Sequence, residues 1–172
     1  MKEFNLILTS RRGDEIQCSK EFTILAKRMN YEIEVKRTKF SGLLICKIEG
    51  DPLEFVRKAR KIIEEDPWSF RFIQRIIPVQ WVVDFNSLKD LVRRIEIPEG
   101  YSFKVVVNKR GSNLSSREII EVVASAIDRR VDLENPDYII QIEVIENLIG
   151  LSIIKRDDII SIPKMQEEIL SK

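Results

Sequence analysis

The 172-residue sequence contains no histidine. That removes Ser-His-Asp and Cys-His nucleophile pairs, imidazole general bases and nearly every common catalytic zinc site. Cys18 and Cys46 are distant in sequence and belong to no CxxC, so they read as buried thiols, not as zinc ligands, a redox dithiol or a disulfide. The carboxylate pairs Glu64/Glu65 and Asp157/Asp158 are adjacent in sequence, a spacing that does not aim two side chains at one atom, and they read as solvated surface. No GxxxxGK[ST], no GxGxxG after a strand and no GxSxG occurs, so neither a nucleotide phosphate nor an acyl group has a recognisable cradle. The chemistry that survives is the binding of anions by Lys, Arg and backbone amides.

The most focused feature of that kind is Asn108-Lys109-Arg110-Gly111-Ser112-Asn113, which reads as a polar loop between a strand and a capped helix. Exposed amides at the helix start and two cations can grip an anion such as an RNA phosphate, with Asn108 or Asn113 reaching a sugar hydroxyl. Arg117, in the first turn of that helix, opposes the helix dipole, a placement that a bound phosphate would offset. Further cations sit at Lys36, Arg37 and Lys39, at Arg57, Lys58, Arg60 and Lys61 along a helix flank, and at Arg71 and Arg75, which alternate with Phe70 and Phe72. Each could neutralise a phosphate, or could be surface charge interleaved with Glu. Trp68 and Trp81 could stack on bases, but their apolar neighbours favour a place in the core.

Composition limits how strong such binding can be. Lys and Arg total 29 against 28 Asp and Glu, so there is no polybasic tail to pull the chain toward nucleic acid or membrane, and any binding patch must be local. Residues 1–76 hold 16 cations and 12 carboxylates, and residues 77–172 hold 13 and 16, so the first part is mildly basic. With 44% apolar residues the chain can bury a core of one ordinary domain or two small ones. No apolar run approaches the ~18 residues of a membrane span, and no signal-peptide pattern opens the chain, so the expected location is the cytoplasm.

The elements that must position these residues follow from periodicity. Residues 3–9 read as a strand, and Asp14 with Gln17 as a capping pair for a helix through about Asn30 whose inner face is Cys18, Phe22, Leu25, Ala26 and Met29. Ile33 and Val35 alternate with charges, and Leu43 to Ile48 form the partner strand of a hairpin. Asp51-Pro52-Leu53-Glu54 starts a second helix with Phe55, Val56, Ala59, Ile62 and Ile63 inward. Asp66-Pro67 stops it, residues 69–83 read as extended around Pro78, and a strand over 69–77 would complete a split βαββαβ unit of ferredoxin-like type. A short helix through Leu88, Leu91, Val92 and Ile95, a strand at 102–107, a helix opened by the capping box Ser115-Ser116-Arg117-Glu118, strands at 138–145 and 151–155 and a terminal helix from Pro163 follow. The fold class is therefore α+β, with mixed α/β units divided at about residues 1–67 and 68–172.

Four stretches, in order, carry a family resemblance: Arg71-Phe72-Ile73-Gln74-Arg75-Ile76-Ile77-Pro78-Val79, Phe103 to Arg110, the Ser115 to Ile120 helix start, and Val131-Asp132-Leu133-Glu134-Asn135-Pro136-Asp137-Tyr138-Ile139-Ile140. Together they resemble a THUMP domain over roughly residues 68–165, and the preceding unit is similar to the N-terminal ferredoxin-like domain that accompanies THUMP. The resemblance implies RNA binding in tRNA modification. THUMP usually sits beside a catalytic domain, and this chain is expected to end before one could fit. It resembles the stand-alone adaptors that help a separate acetyltransferase make N4-acetylcytidine in tRNA. That implies a non-enzymatic protein without cofactor or metal, whose partners are the acceptor stem and 3′ end of tRNA and a tRNA acetyltransferase. Carried onto matching positions, the basic residues that meet tRNA are Arg71, Arg75, Lys109, Arg110 and Arg117, and Asn108, read above as reaching a sugar hydroxyl, completes the expected RNA-binding set. The alternatives are a subunit of a tRNA-modification enzyme and a protein-interaction module whose partner supplies the catalysis or the RNA contacts.

Overall fold

A computed structural model describes residues 3–171. Two compact units emerge. The first comprises the chain up to Val79 together with the segment from Asp157 onward, and the second is Gln80–Arg156. A division at 67/68 is therefore not where compactness divides the chain. The strand that follows Pro67 pairs back into the first sheet, and so does the C-terminal segment.

The first unit runs β1 (Leu6–Thr9), α1 (Glu15–Arg28), β2 (Ile33–Arg37), β3 (Leu43–Ile48), α2 (Pro52–Glu65) and β4 (Arg75–Pro78). Its sheet is antiparallel in the order β2-β3-β1-β4, the arrangement of a split βαββαβ unit. Leu8 pairs with Leu44 on one side and Ile76 on the other, and these residues enter the core with the faces of α1 (Cys18, Phe22, Leu25) and α2 (Phe55, Val56, Ala59, Ile63). The i, i+4, i+7 spacing of those helical residues is what puts them on one side. Asp51 caps α2 by accepting from the Leu53 N–H at 2.9 Å. Asp14 does not cap α1 with its side chain. Instead the Glu15 carboxylate accepts from the Gly13 and Gly42 N–H groups at 3.0–3.1 Å, which ties two turns together. Gly42 has a φ of +69°, and a Cβ there would lie 2.5 Å from the Ser10 carbonyl oxygen, so no other residue fits. These amides, that of Gly13 foremost, hold the Glu15 carboxyl below the usual range.

The second unit runs β5 (Trp81–Val83), α3 (Phe85–Arg93), β6 (Phe103–Arg110), α4 (Ser116–Ala126), β7 (Tyr138–Ile145) and β8 (Leu148–Ile154). Its sheet order is β5-β8-β7-β6, with β6 and β7 parallel and the other pairs antiparallel. Phe103, Ile119, Val123, Ile140, Ile142 and Leu151 fill a separate core. A crossover helix between parallel strands is the geometry that a parallel pair requires.

After β8, a 3₁₀ turn at Arg156–Asp158 leads to β9 (Ile160–Ser161), which pairs with β4, and to α5 (Ile162–Leu170). Asp158 is 4% exposed, not part of a solvated acidic face. Its carboxylate accepts from Arg57 Nε and Nη2 at 3.0 and 3.2 Å. Arg60 donates to the Asp157 and Ile159 carbonyls at 2.7 and 2.9 Å. The α2 cations thus hold the returning segment, and Lys58 pairs with Glu54 at 2.7 Å.

Both cysteines are buried and free. Burial pushes each thiol up to about 12. A thiol raised in the folded state stabilises the fold fully below its unfolded pKa, near 8.5, and that contribution is lost as pH climbs toward 12. The native protein is expected to resist a thiol reagent at about pH 8 and to react at both cysteines when denatured; rapid native labelling would contradict this burial.

Candidate nucleic-acid interface

The expected site residues divide between the two units. Arg71 and Arg75 lie in the first, and Asn108, Lys109, Arg110 and Arg117 in the second. The first unit carries 18 cations against 16 carboxylates and the second 11 against 12, which together make the 29 and 28 of the chain. Neither is strongly basic, so the local disposition of cations decides what either can bind.

In the second unit, β6 continues through Arg110, further than the strand at 102–107. Asn108-Lys109-Arg110 is therefore not a loop. It pairs with Glu143, Val144 and Ile145 of β7, because backbone hydrogen bonds to a buried parallel neighbour outweigh the turn preference of a polar triplet. Only residues 111–115 connect to α4, where Ser115 Oγ accepts from the Glu118 N–H at 3.2 Å, as the capping box requires. Lys109 Nζ donates to the Leu114 carbonyl at 2.8 Å and so folds the connection over the strand end. Asn108 Nδ2 donates to the Glu143 carboxylate at 3.0 Å. Arg117 pairs with Glu121 at 3.3 Å, an exposed i, i+4 bridge of the kind that contributes a few tenths of a kcal/mol and yields readily to a stronger anion. Arg110 is exposed, and among the described residues no carboxylate pairs with its guanidinium. The structure thus gathers Lys109, Arg110 and the α4 start at one end of the sheet.

The Val131–Asp137 stretch clasps the other end of β6. Asp132 Oδ1 accepts from the Glu134 and Asn135 N–H groups at 3.1 and 3.0 Å, which lowers its pKa, the Asn135 amide foremost. Asp137 Oδ2 accepts from Ser102 N–H and Oγ at 2.8 and 3.1 Å, while Ser102 Oγ accepts from the Asp137 N–H. The two acids shape the connection into β7 and do not line an anion site.

In the first unit Arg75 opens β4, opposite Thr9 on β1, and shares the sheet face that Leu8 and Ile76 turn away from. Arg71 precedes the strand. Residues 71–73 do not pair as a strand, because the Glu21 carboxylate of α1 accepts from the Arg71, Phe72 and Ile73 N–H groups at 2.9–3.3 Å. Three successive amides on one carboxylate make a nest that pins the backbone and leaves the Arg71 side chain in solvent. The sequence does not single out Glu21, since a charge on the flank of a helix carries no local signal of a partner about fifty residues away. Trp68 is 46% and Trp81 39% exposed, so neither is a core aromatic as their neighbours suggested. Trp68 is held outward by the 3₁₀ turn that Pro67 starts.

Known structures share the fold of both units. The sequence model of the THUMP domain matches residues 84–154. The chain contains a THUMP domain. It lies within the second unit, and the Arg71–Val79 stretch falls outside it, in the ferredoxin-like unit. No curated protein matches the chain. Solved structures share its fold: TrmN from Thermus thermophilus has a TM-score of 0.61 at 17% identity over 88% of this chain and 45% of that one. PH1313 from Pyrococcus horikoshii Ot3 has 0.57 at 17% identity over 89% and 55%. A 4-thiouridine synthetase solved with RNA and ATP has 0.55 at 17% identity over 92% and 42%. The chain spans about half the length of these proteins, and the likeness extends over the ferredoxin-like unit as well as THUMP. Among the described residues no helix is long and apolar enough to cross a membrane.

Proposed function

We propose that this chain is a non-catalytic tRNA-binding adaptor that presents tRNA to a separate modifying enzyme, an acetyltransferase making N4-acetylcytidine. The observation that carries the reading is the THUMP match at residues 84–154 in a chain whose ferredoxin-like and THUMP units together follow those of a synthetase solved with RNA. Recognition would be by shape and phosphate, because an A-form stem hides its deep groove from side chains. Lys109 and Arg110 beside the α4 start, Arg117 once released from Glu121, and Arg71 and Arg75 of the first unit supply the cations. A non-catalytic role fits a chain without histidine whose two thiols, held protonated, are poor nucleophiles. The cytoplasm, where tRNA is modified, is the expected site of action.

The test combines purified chain, tRNA, acetyl-coenzyme A and the tRNA acetyltransferase of the same organism, with N4-acetylcytidine read by mass spectrometry. Acetylation that requires both proteins supports the adaptor role, and acetylation indifferent to this chain contradicts it. A second reading, the RNA-binding part of a methylating or thiolating system, is favoured by two relatives of the same fold, SMU.472, described as a putative methyltransferase, and the 4-thiouridine synthetase. Modification of those kinds on adding the chain would select it.

A further inference from the structure

The ferredoxin-like unit has a cavity of about 270 Å³ whose walls include Arg11, Trp68, Phe70, Arg71, Gln74 and Gln166. Three separate segments of chain build it, and the backbone at Arg11, Trp68 and Arg71 is fixed by contacts that leave those side chains free. Arg11 sits in the turn after β1, where its carbonyl accepts from Ser10 Oγ at 2.8 Å and from the Asp14 N–H at 3.1 Å. Trp68 rides a single 3₁₀ turn braced by the Ser69 hydroxyl, which donates to the Asp66 carbonyl at 2.8 Å, and by Gln166 Nε2, which donates to the Pro67 carbonyl at 3.3 Å. Arg71 is anchored by the nest on Glu21.

The chemistry of this arrangement is incomplete without a ligand. Two guanidiniums border one cavity, and among the described residues neither Arg11 nor Arg71 pairs with a carboxylate. The nearby acid, Glu21, already accepts three backbone amides. The indole of Trp68 is 46% exposed, and neither a ring nor a cation stacks on it among the described residues. An anion is what two guanidiniums lining one cavity bind, and a flat π-face is what a bare indole binds. One species carries both groups at short range: a nucleotide. The cavity is too small for a duplex.

The geometry points to a pocket for one unpaired RNA nucleotide, its phosphate between Arg11 and Arg71 and its base against Trp68, with Gln74 facing the base edge. This rests on the RNA-binding reading and adds to it a single-strand site in the ferredoxin-like unit, apart from the cations of the THUMP domain.

The test measures fluorescence anisotropy of a dye-labelled, 5′-phosphorylated RNA tetranucleotide that cannot pair, titrated with the full chain and with Trp68→Ala, Trp68→Phe and Arg11→Ala/Arg71→Ala, alongside folded tRNA. Base–aromatic stacking predicts that Trp68→Ala weakens tetranucleotide binding roughly 5- to 150-fold. Trp68→Phe, which keeps a ring, is expected to retain most of it, and the double arginine variant to lose it. Circular dichroism shows whether each variant is folded, and the double arginine variant, which changes only exposed side chains, decides the matter if Trp68→Ala is not. Tetranucleotide binding that all variants share, or its absence in the unaltered chain, overturns the pocket. If folded tRNA still binds in that case, the adaptor reading stands without it; if the tetranucleotide binds as expected and folded tRNA does not, the pocket stands and the adaptor reading falls.

Discussion

Phe55→Ala is expected to destabilise the ferredoxin-like unit by about 3–5 kcal/mol, the range for removing a buried phenyl ring from a core. Phe55 is fully buried in α2, its ring centroid 5.6 Å from that of Phe22 and 4.9 Å from that of Tyr31, the latter edge-on. The substitution removes both ring contacts and leaves a void between α1, α2 and the sheet, at a place where the backbone of both helices is fixed by sheet packing and cannot collapse. Domains of this size are stable by only about 5–15 kcal/mol, so the loss is a large fraction of the whole. A melt is expected to shift down by roughly 6–20 °C, given about 2–4 °C per kcal/mol for a chain of this length. Phe55→Leu, which restores most of the volume, is expected to recover the greater part. A shift under about 2 °C for Phe55→Ala would mean that the aromatic cluster does not hold the unit together.

Lys109→Ala/Arg110→Ala carries the largest expected effect on folded-tRNA binding. Each cation that neutralises a phosphate contributes about 0.9 to the slope of log K against log salt, so removing two is expected to flatten the slope by about 2. Scaled from about 1 M salt, the same counterion contribution weakens folded-tRNA binding roughly 30-fold near ~0.15 M. The two positions contribute differently. The Arg110 guanidinium has no carboxylate to release among the described residues, whereas Lys109 must give up or share its bond to the Leu114 carbonyl. Arg110→Ala alone is therefore expected to account for at least half the change. Arg117→Ala is expected to do less, because its pair with Glu121 already satisfies part of its charge. An unchanged slope in the double variant would remove the β6 end from the interface.

Local signals were legible in the sequence where a short-range rule sets the outcome. Asp51-Pro52 and Ser115 to Glu118 mark helix starts because a cap needs only residues within one turn. The hairpin β2–β3 and the helical stripe Cys18/Phe22/Leu25 follow from period alone. What escaped depends on distant partners. The Glu21 nest replaces a strand at 71–73, and the Asp158–Arg57 pair across 101 residues turns an apparent surface acid into a buried anchor. The pairing of β9 with β4 returns the C-terminal segment to the first unit. Of the candidate site, the sequence offered the cationic positions as candidates, but not that Asn108 to Arg110 extend a strand or that Asn108 and Arg117 already hold acidic partners. Nor could it place Trp68 outside the core, since the turn that exposes it is fixed by Gln166, nearly a hundred residues later.

Recognition of structured RNA by the cations of this chain underlies the whole functional reading. Filter binding of the unaltered protein to folded tRNA and to an unstructured RNA of equal length, across a salt series, examines it without any variant or partner. Tighter binding of the folded tRNA at every salt concentration, with affinity falling linearly on a log–log plot, is the expected outcome. Equal affinity for the two RNAs, or no saturable binding of tRNA at low salt, would refute it.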